Sequence, residues 1–121
     1  MKVIVTTNNQ IASRHVATMV TNQLARKPNT VFLLPTGSSP LELYRLLVEK
    51  VASGKISFSL AKTFNLDEYL GLSPDNPQSY HHFMWNNFFN HIDIKKNNVK
   101  IPAANPKNPK SYCQKYEALI D

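Results

Sequence analysis

Residues 30–50, TVFLLPTGSSPLELYRLLVEK, predict a strand, a tight turn and a helix in immediate succession. The apolar run at the start of this stretch is typical of a strand buried on both faces of a parallel sheet. Ser39, Pro40 and Glu42 then have the spacing of a capping box, with proline at the first helical position. We expect a helix that begins here and ends at Gly54. A buried strand followed directly by a helix indicates an α/β fold.

The same alternation of apolar runs and helical spacing continues along the chain. It predicts strands over residues 2–6, 61–66 and 98–102, and helices entered through Asn8 or Asn9, over residues 78–90 and from Tyr112 onward. The first of these helices has an apolar stripe formed by Val16, Met19, Val20 and Leu24. The order predicts one α/β domain, residues 1–121, with a Rossmann-like, mostly parallel sheet, right-handed crossovers and helices on both faces.

Composition narrows the classes of function. The formal net charge is +6, which suits nucleic acid, anionic lipid or small phosphorylated ligands. Six lysines between residues 95 and 115 lack any RNA-binding or recognition-helix pattern, so we interpret them as a solvated surface and expect no nucleic-acid partner. Cys113 is the only cysteine, which excludes an intramolecular disulfide and fits a reducing cytoplasm. No apolar stretch approaches the roughly 20 residues of a membrane span.

The turn at residues 36–39 is a candidate phosphate site. The first-turn N–H groups of a helix carry partial positive charge, which suits an anion. Gly37 allows close approach to the backbone, and Ser38 and Ser39 add hydroxyl donors. The alternative is an ordinary, well-capped turn between a strand and a helix. The segment lacks the P-loop lysine and the G-x-G-x-x-G spacing, so a nucleotide site is not supported.

The sequence FNLDEYLGL, residues 64–72, contains the second candidate. Asp67 follows an apolar strand, where partial shielding from water can raise a carboxyl pKa toward that of a useful base. Alternatively, Asp67 hydrogen-bonds to the loop that follows, while Glu68 faces elsewhere. Because ligands of open parallel sheets bind beyond the carboxyl ends of the strands, both candidates belong at one edge. Together they indicate a small phosphorylated ligand such as a sugar phosphate.

Three motifs resemble those of a known family. LPTGSSPLELYRLLVEK, TFNLDEYLGL and PQSYHHFMWNNFFNHIDI are similar, in order and spacing, to motifs of the glucosamine-6-phosphate deaminase (isomerase) family. The resemblance runs from about residue 3 to the end of the chain. The related 6-phosphogluconolactonases share a small-residue phosphate turn, but their second motif usually reads DER where this sequence has DEY.

The resemblance implies a reaction. Members of the family convert glucosamine 6-phosphate and water to fructose 6-phosphate and ammonia, without a metal or organic cofactor; a galactosamine 6-phosphate counterpart remains open. Asp67 matches the aspartate that moves a proton between carbons 1 and 2 of the opened sugar. Gly37, Ser38 and Ser39 match the phosphate-binding turn, although Ser38 replaces a usual glycine. We assign supporting or pocket-lining roles to Thr36, Glu68, Tyr69 and Tyr80.

The sequence departs from this family in length. Family members are roughly twice as long, and their second half carries a G-x-G-x-D-G-H-I-A-F-N-E-P motif that opens the sugar ring. The resemblance therefore covers an amino-terminal half, part of a larger three-layer domain, and none of the four histidines matches the ring-opening positions. The alternatives are an inactive sugar-phosphate-binding fragment and a lactonase-like paralogue. An uncovered flank would favour self-association, including a homo-oligomer.

Overall fold

The computed structural model describes residues 1–120, and within that range four α-helices surround a three-stranded parallel sheet. The helices are α1 (Asn9–Arg26), α2 (Leu41–Ala52), α3 (Tyr80–Asn87) and α4 (Pro109–Ile120). The strands are β1 (Val31–Leu33), β2 (Lys62–Phe64) and β3 (Val99–Lys100), and short 3-10 segments lie at Phe89–His91 and Lys96–Asn98. Among residues 1–120, no helix combines the length and apolar character needed to cross a bilayer. The predicted α/β fold is confirmed.

The sheet has the order β1-β2-β3, and both neighbouring pairs are parallel. Phe32 pairs with Thr63, and Leu33 pairs with Phe64. Parallel neighbours require crossover connections, and these contain the helices. The carboxyl ends of all three strands consequently lie at one edge of the sheet, which is the edge predicted to carry the site.

Helices lie on both faces of this sheet, as predicted. Phe32 faces the main core, where its ring centre lies 5.9 Å from that of Phe58. Phe64 faces the opposite side, because it pairs with the residue after Phe32 and neighbouring strand residues alternate between faces. There its ring meets Tyr116 of α4 edge-on, with 5.9 Å between centres. The main core is apolar and aromatic, and its buried members include Ala17, Leu24, Tyr44, Leu47, Phe58, Met84, Phe88 and Phe89.

The strand predicted over residues 2–6 is wrong. This run has no regular secondary structure and is mostly exposed, as shown by Val3 and Val5. A strand exists only through hydrogen bonds to a neighbour, and β1 pairs only with β2 among the described residues. The β-branched composition of the run therefore indicated strand propensity without a partner to satisfy it.

The buried side of α1 also differs from the prediction. Leu24 is buried together with Ala17, whereas Val16 and Met19 are 41% and 64% exposed. The exposed pair lies beside Phe32 along an open groove between α1 and β1 of about 410 Å³. Helical spacing identifies an apolar stripe but not the element that covers it, and α2 packs on only part of this stripe.

Candidate active site

The segments that follow β1 and β2 run side by side to the predicted edge. The Leu34 N–H donates to the Phe64 carbonyl at 2.8 Å, and Asn65 Nδ2 donates to the Leu34 carbonyl at 2.7 Å. Beyond these bonds the two segments line one open cavity of about 350 Å³, called here the site cavity. Thr36 lines it from the first segment and Asp67 from the second. The two candidate regions therefore meet at one edge.

The turn at residues 37–39 lies beside this cavity and is exposed. Gly37 has φ of +95°, a conformation that L side chains rarely adopt. A Cβ atom at this position would meet nothing within 4 Å, so the backbone conformation rather than crowding requires glycine. Below the turn, the Tyr44 hydroxyl donates to the Pro35 carbonyl, and burial raises the pKa of Tyr44 above its ordinary value. The buried Tyr44 hydroxyl thus holds the backbone that leads into the exposed turn.

The predicted capping box is wrong. Helix α2 begins at Leu41 with Pro40 at the N-cap, and no side chain among residues 1–120 caps its first turn. Glu42 instead accepts two hydrogen bonds from Arg45, at 2.7 and 2.9 Å, and these lower the pKa of Glu42. Ser39 is exposed, and its carbonyl accepts from Asn9 Nδ2 of α1 at 3.4 Å. The first turn of α2 therefore keeps backbone N–H groups without a side-chain acceptor.

Asp67 lies at the rim of the site cavity and is exposed. The shielding from water predicted for it is therefore wrong for residues 1–120. The physical reason is that β2 ends at Phe64, and the chain carries Asp67 past the part of the sheet that helices cover. The alternative role considered for Asp67, hydrogen bonding to the chain that follows, is performed by its neighbour Glu68.

Glu68 turns away from the cavity and binds the start of α3, in agreement with the prediction that it faces elsewhere. Its Oε1 atom accepts from the N–H of Tyr69 at 2.8 Å and from the N–H of Tyr80 at 2.9 Å. Its Oε2 atom accepts from the N–H of His81 at 2.8 Å. A carboxylate at a helix N-terminus is favoured by both charge-assisted hydrogen bonds and the helix dipole.

The rings of Tyr69 and Tyr80 pack against each other at a tilt of 38°. Their ring centres are 4.8 Å apart and their hydroxyl oxygens 3.1 Å apart. The hydrogen bond that the Tyr80 hydroxyl donates to Tyr69 raises the pKa of Tyr80. Desolvation and the charge of Asp67 act in the same direction, and Thr36 opposes them. The pKa of Tyr80 is therefore influenced by Asp67 and Thr36, which both line the site cavity.

Asn65 and Tyr116 support the site, and sequence reasoning missed both. Asn65 is 1% exposed, and its side chain joins the end of β2 to Leu34. The Tyr116 hydroxyl contacts the carbonyls of Asn65 and Lys100 at 2.7 and 2.9 Å, and burial raises its pKa to about 12. The polar Asn65 within the apolar run TFNL was the available signal, since a buried amide requires hydrogen-bond partners.

Comparison with known proteins gives the family. The family model described as glucosamine-6-phosphate isomerases/6-phosphogluconolactonase matches residues 7–121. This chain belongs to that family. The resemblance inferred from the three motifs is confirmed.

Named members of the family are similar along the whole chain. A glucosamine-6-phosphate deaminase of Thermoanaerobacter sp. (strain X514) is 54% identical over 121 residues, which cover 100% of this chain and 48% of that protein. A glucosamine-6-phosphate deaminase of Clostridium botulinum (strain Hall) is 44% identical over 121 residues and is covered to 50% of its length. The chain thus spans about half the length of the curated relatives that it matches.

Solved structures of the family have the same fold. A monomeric glucosamine-6-phosphate deaminase superposes with a TM-score of 0.95 at 38% identity, over 100% of this chain and 50% of that one. A 6-phosphogluconolactonase from Thermotoga maritima superposes with a TM-score of 0.74 at 21% identity, over 97% of this chain and 51% of that one. The second likeness concerns the fold alone.

Within this family member, the first two quoted motifs meet at the site cavity, to which they supply Thr36 and Asp67. The third motif contributes Tyr80 at the start of α3, where its hydroxyl donates to Tyr69. His81 of the third motif instead packs near Trp85, with 6.1 Å between ring centres. The edge where the motifs meet combines a carboxylate, hydroxyl groups and an open glycine turn.

Proposed function

We propose that these residues form part of the active site of an amino-sugar phosphate deaminase. The reaction converts glucosamine 6-phosphate and water to fructose 6-phosphate and ammonia, or uses the galactosamine counterpart. The observation that carries this proposal is the common edge: Asp67 and Thr36 line one cavity, and the exposed turn from Gly37 to Ser39 follows Thr36 directly. The relatives from Thermoanaerobacter and Clostridium botulinum, both named glucosamine-6-phosphate deaminase, support the same substrate class.

Asp67 is the proton-transfer base in this proposal. Its carboxylate accepts the proton from carbon 2 of the opened sugar and returns it to carbon 1, as in an aldose–ketose isomerisation. Water then attacks carbon 2, the carbon–nitrogen bond breaks and ammonia leaves. The exposed carboxylate at the cavity rim can reach a ligand without a backbone movement. We infer that the exclusion of water comes from parts of the enzyme outside these residues, since the relatives are about twice as long.

The turn at residues 37–39 holds the phosphate. Positive φ at Gly37 and the absence of a side-chain cap on the first turn of α2 leave backbone N–H groups for an anion. Ser38 and Ser39 are exposed and add hydroxyl donors. Thr36 lines the site cavity between the turn and Asp67, and Tyr80, which donates to Tyr69, is assigned a supporting role. No cofactor or metal takes part, and the single cysteine favours a cytoplasmic site of action.

Ammonia release tests the proposal. The longest gene product that contains this chain is incubated with glucosamine 6-phosphate or galactosamine 6-phosphate, with glucose 6-phosphate as the control that has no nitrogen to lose. Ammonia from one amino sugar supports the proposal and names the substrate. Hydrolysis of 6-phosphogluconolactone without ammonia release would place the chain in the lactonase branch. Sugar-phosphate binding without either reaction would indicate an inactive fragment.

A further inference from the structure

The carboxylate of Glu68 joins two parts of the site that are distant in sequence. It accepts hydrogen bonds from Tyr69 beside it and from Tyr80, which lies 12 residues further along the chain. We propose that Glu68 is a positioning residue, which holds Asp67 at the cavity rim by binding the first turn of α3. The effect on catalysis rests on the function proposed above. The attachment of the Asp67 loop to α3 through Glu68 does not depend on that function.

Both oxygen atoms of Glu68 are used in this link. Oε1 binds the N–H groups of Tyr69 and Tyr80, and Oε2 binds the N–H of His81 at 2.8 Å. Hydrogen bonds to an ionised acceptor are shorter and stronger than neutral ones. Two acceptor atoms also fix the orientation of the side chain, so the backbone at Glu68 has little freedom to rotate. Asp67 is the adjacent residue and shares that constraint.

Helix α3 is the rigid partner in this link. Met84 anchors its apolar side, and Phe88 follows the last residue of the helix; both are 0% exposed. Ser79 caps the helix independently of Glu68: its Oγ accepts from the His82 N–H at 3.0 Å and donates to the Pro74 carbonyl at 3.0 Å. Removal of Glu68 therefore leaves α3 with a buried side and a second cap.

The loop that carries Asp67 is the dependent partner. Its neighbours Leu66, Tyr69 and Leu70 are exposed, so the loop buries few apolar contacts of its own. Segments with few buried contacts open most readily. Two contacts fasten this loop to α3: the Glu68 carboxylate, and the Tyr69 ring, which packs at a tilt against Tyr80 with 4.8 Å between ring centres. The contacts with α3 therefore restrict the movement of the loop and of Asp67 within it.

Two variants separate positioning from plain helix capping. Glu68→Gln keeps the size of the side chain but replaces one acceptor oxygen with an NH₂ group that cannot accept. Ser79→Ala is the matched control, because it removes a cap from the same helix turn and a hydrogen bond to Pro74 but no hydrogen bond of residues 66–70. We expect Glu68→Gln to lower kcat about 100-fold with KM little changed, since a displacement of about 1 Å costs that much. Ser79→Ala should lower Tm while its kcat stays near the wild-type value.

Trp85 gives the second measurement. It is the only tryptophan of these 121 residues and lies in α3, so its fluorescence in each variant of this chain reports whether the helix is folded. Hydrogen–deuterium exchange of residues 66–70 should accelerate in Glu68→Gln and not in Ser79→Ala. Unchanged exchange in Glu68→Gln, or equal losses of kcat in both variants, would overturn the proposal. Absent turnover in the wild-type enzyme would contradict the proposed function instead, and the exchange data would still decide the link.

Discussion

Asp67 is the residue on which the proposed chemistry depends, because a carboxylate can accept and return a proton and an amide cannot. Asp67→Asn in the full-length gene product should keep substrate binding and lower kcat about 100- to 10,000-fold, the usual contribution of a general base. Ammonia release measures kcat, and calorimetric titration with fructose 6-phosphate measures binding. Asp75→Asn, an exposed aspartate outside the site cavity, is the control. Wild-type turnover in Asp67→Asn would give Asp67 a structural role.

Gly37 permits a second prediction at the residue scale. Valine at φ of +95° is strained, so Gly37→Val should distort the turn and weaken phosphate binding at least about tenfold, or about 1.4 kcal/mol. Gly54→Val is the matched control, because its φ is +73° and it lies at the opposite end of α2, about 18 Å away along the helix. Both variants should lose about 1–2 kcal/mol of stability from backbone strain.

Calorimetric titration with inorganic phosphate and with fructose 6-phosphate compares these glycine variants. The proposal requires that only the Gly37 variant loses affinity, although both lose stability. Equal affinity in the two variants would favour the ordinary strand–helix turn that the sequence also allowed.

At the scale of elements, local signals were sufficient for part of the fold. Continuous apolar runs found β1 and β2, and helical spacing found α2 and its end before Gly54, because these patterns depend on neighbours in sequence. Sequence order also brought Thr36 and Asp67 to one cavity, since parallel strands end at one edge. The placement of Thr36 and Asp67 at one edge was predictable, because it depends only on the parallel direction of β1 and β2.

The wrong predictions depend on contacts between distant segments. Residues 2–6 have strand composition but no described partner, and Val16 and Met19 face a groove that no described element fills. Glu42 had the spacing of a capping residue, yet it pairs with Arg45. Exposure of Asp67 depends on what packs over the rim. The spacing of residues in the sequence does not indicate which segment or side chain will contact each of these residues.

Helix α4 and the sheet give a prediction about pH. The Tyr116 hydroxyl binds the carbonyls at the ends of β2 and β3, so Tyr116→Phe should cost about 1–3 kcal/mol of unfolding free energy. The pKa of Tyr116 is raised to about 12, against about 10 in an unfolded chain. Its stabilisation is therefore full below pH 10 and is lost as pH rises through 12.

Urea denaturation followed by circular dichroism between pH 7 and pH 12 measures this effect. The difference in stability between wild type and Tyr116→Phe should narrow above pH 10. Tyr69→Phe is the control, because it removes an exposed tyrosine hydroxyl that accepts from Tyr80 and hydrogen-bonds to no strand among residues 1–120. A difference that stays constant across the range would show that the Tyr116 hydroxyl is not linked to folding.

At the scale of the whole molecule, the β1 edge of the sheet is unpaired within residues 1–120. Among residues 1–120, β1 pairs only with β2, and Val31 and Leu33 are 54% and 57% exposed. Val16 and Met19 of α1 extend this apolar surface beyond the strand. Unpaired strand edges with apolar side chains favour association with another chain.

The 121-residue chain by itself should therefore self-associate, and the associated fraction should rise with protein concentration. Sedimentation velocity over a range of concentrations measures this, and the β1 edge predicts where the contact forms. Val31→Lys combined with Leu33→Lys should reduce association, because edge lysines oppose strand pairing. Leu66→Lys combined with Leu70→Lys, which adds the same charge to an exposed loop, is the control and should leave association unchanged. A compact monomer at every concentration would contradict the prediction, and equal effects of the two double variants would move the contact away from β1.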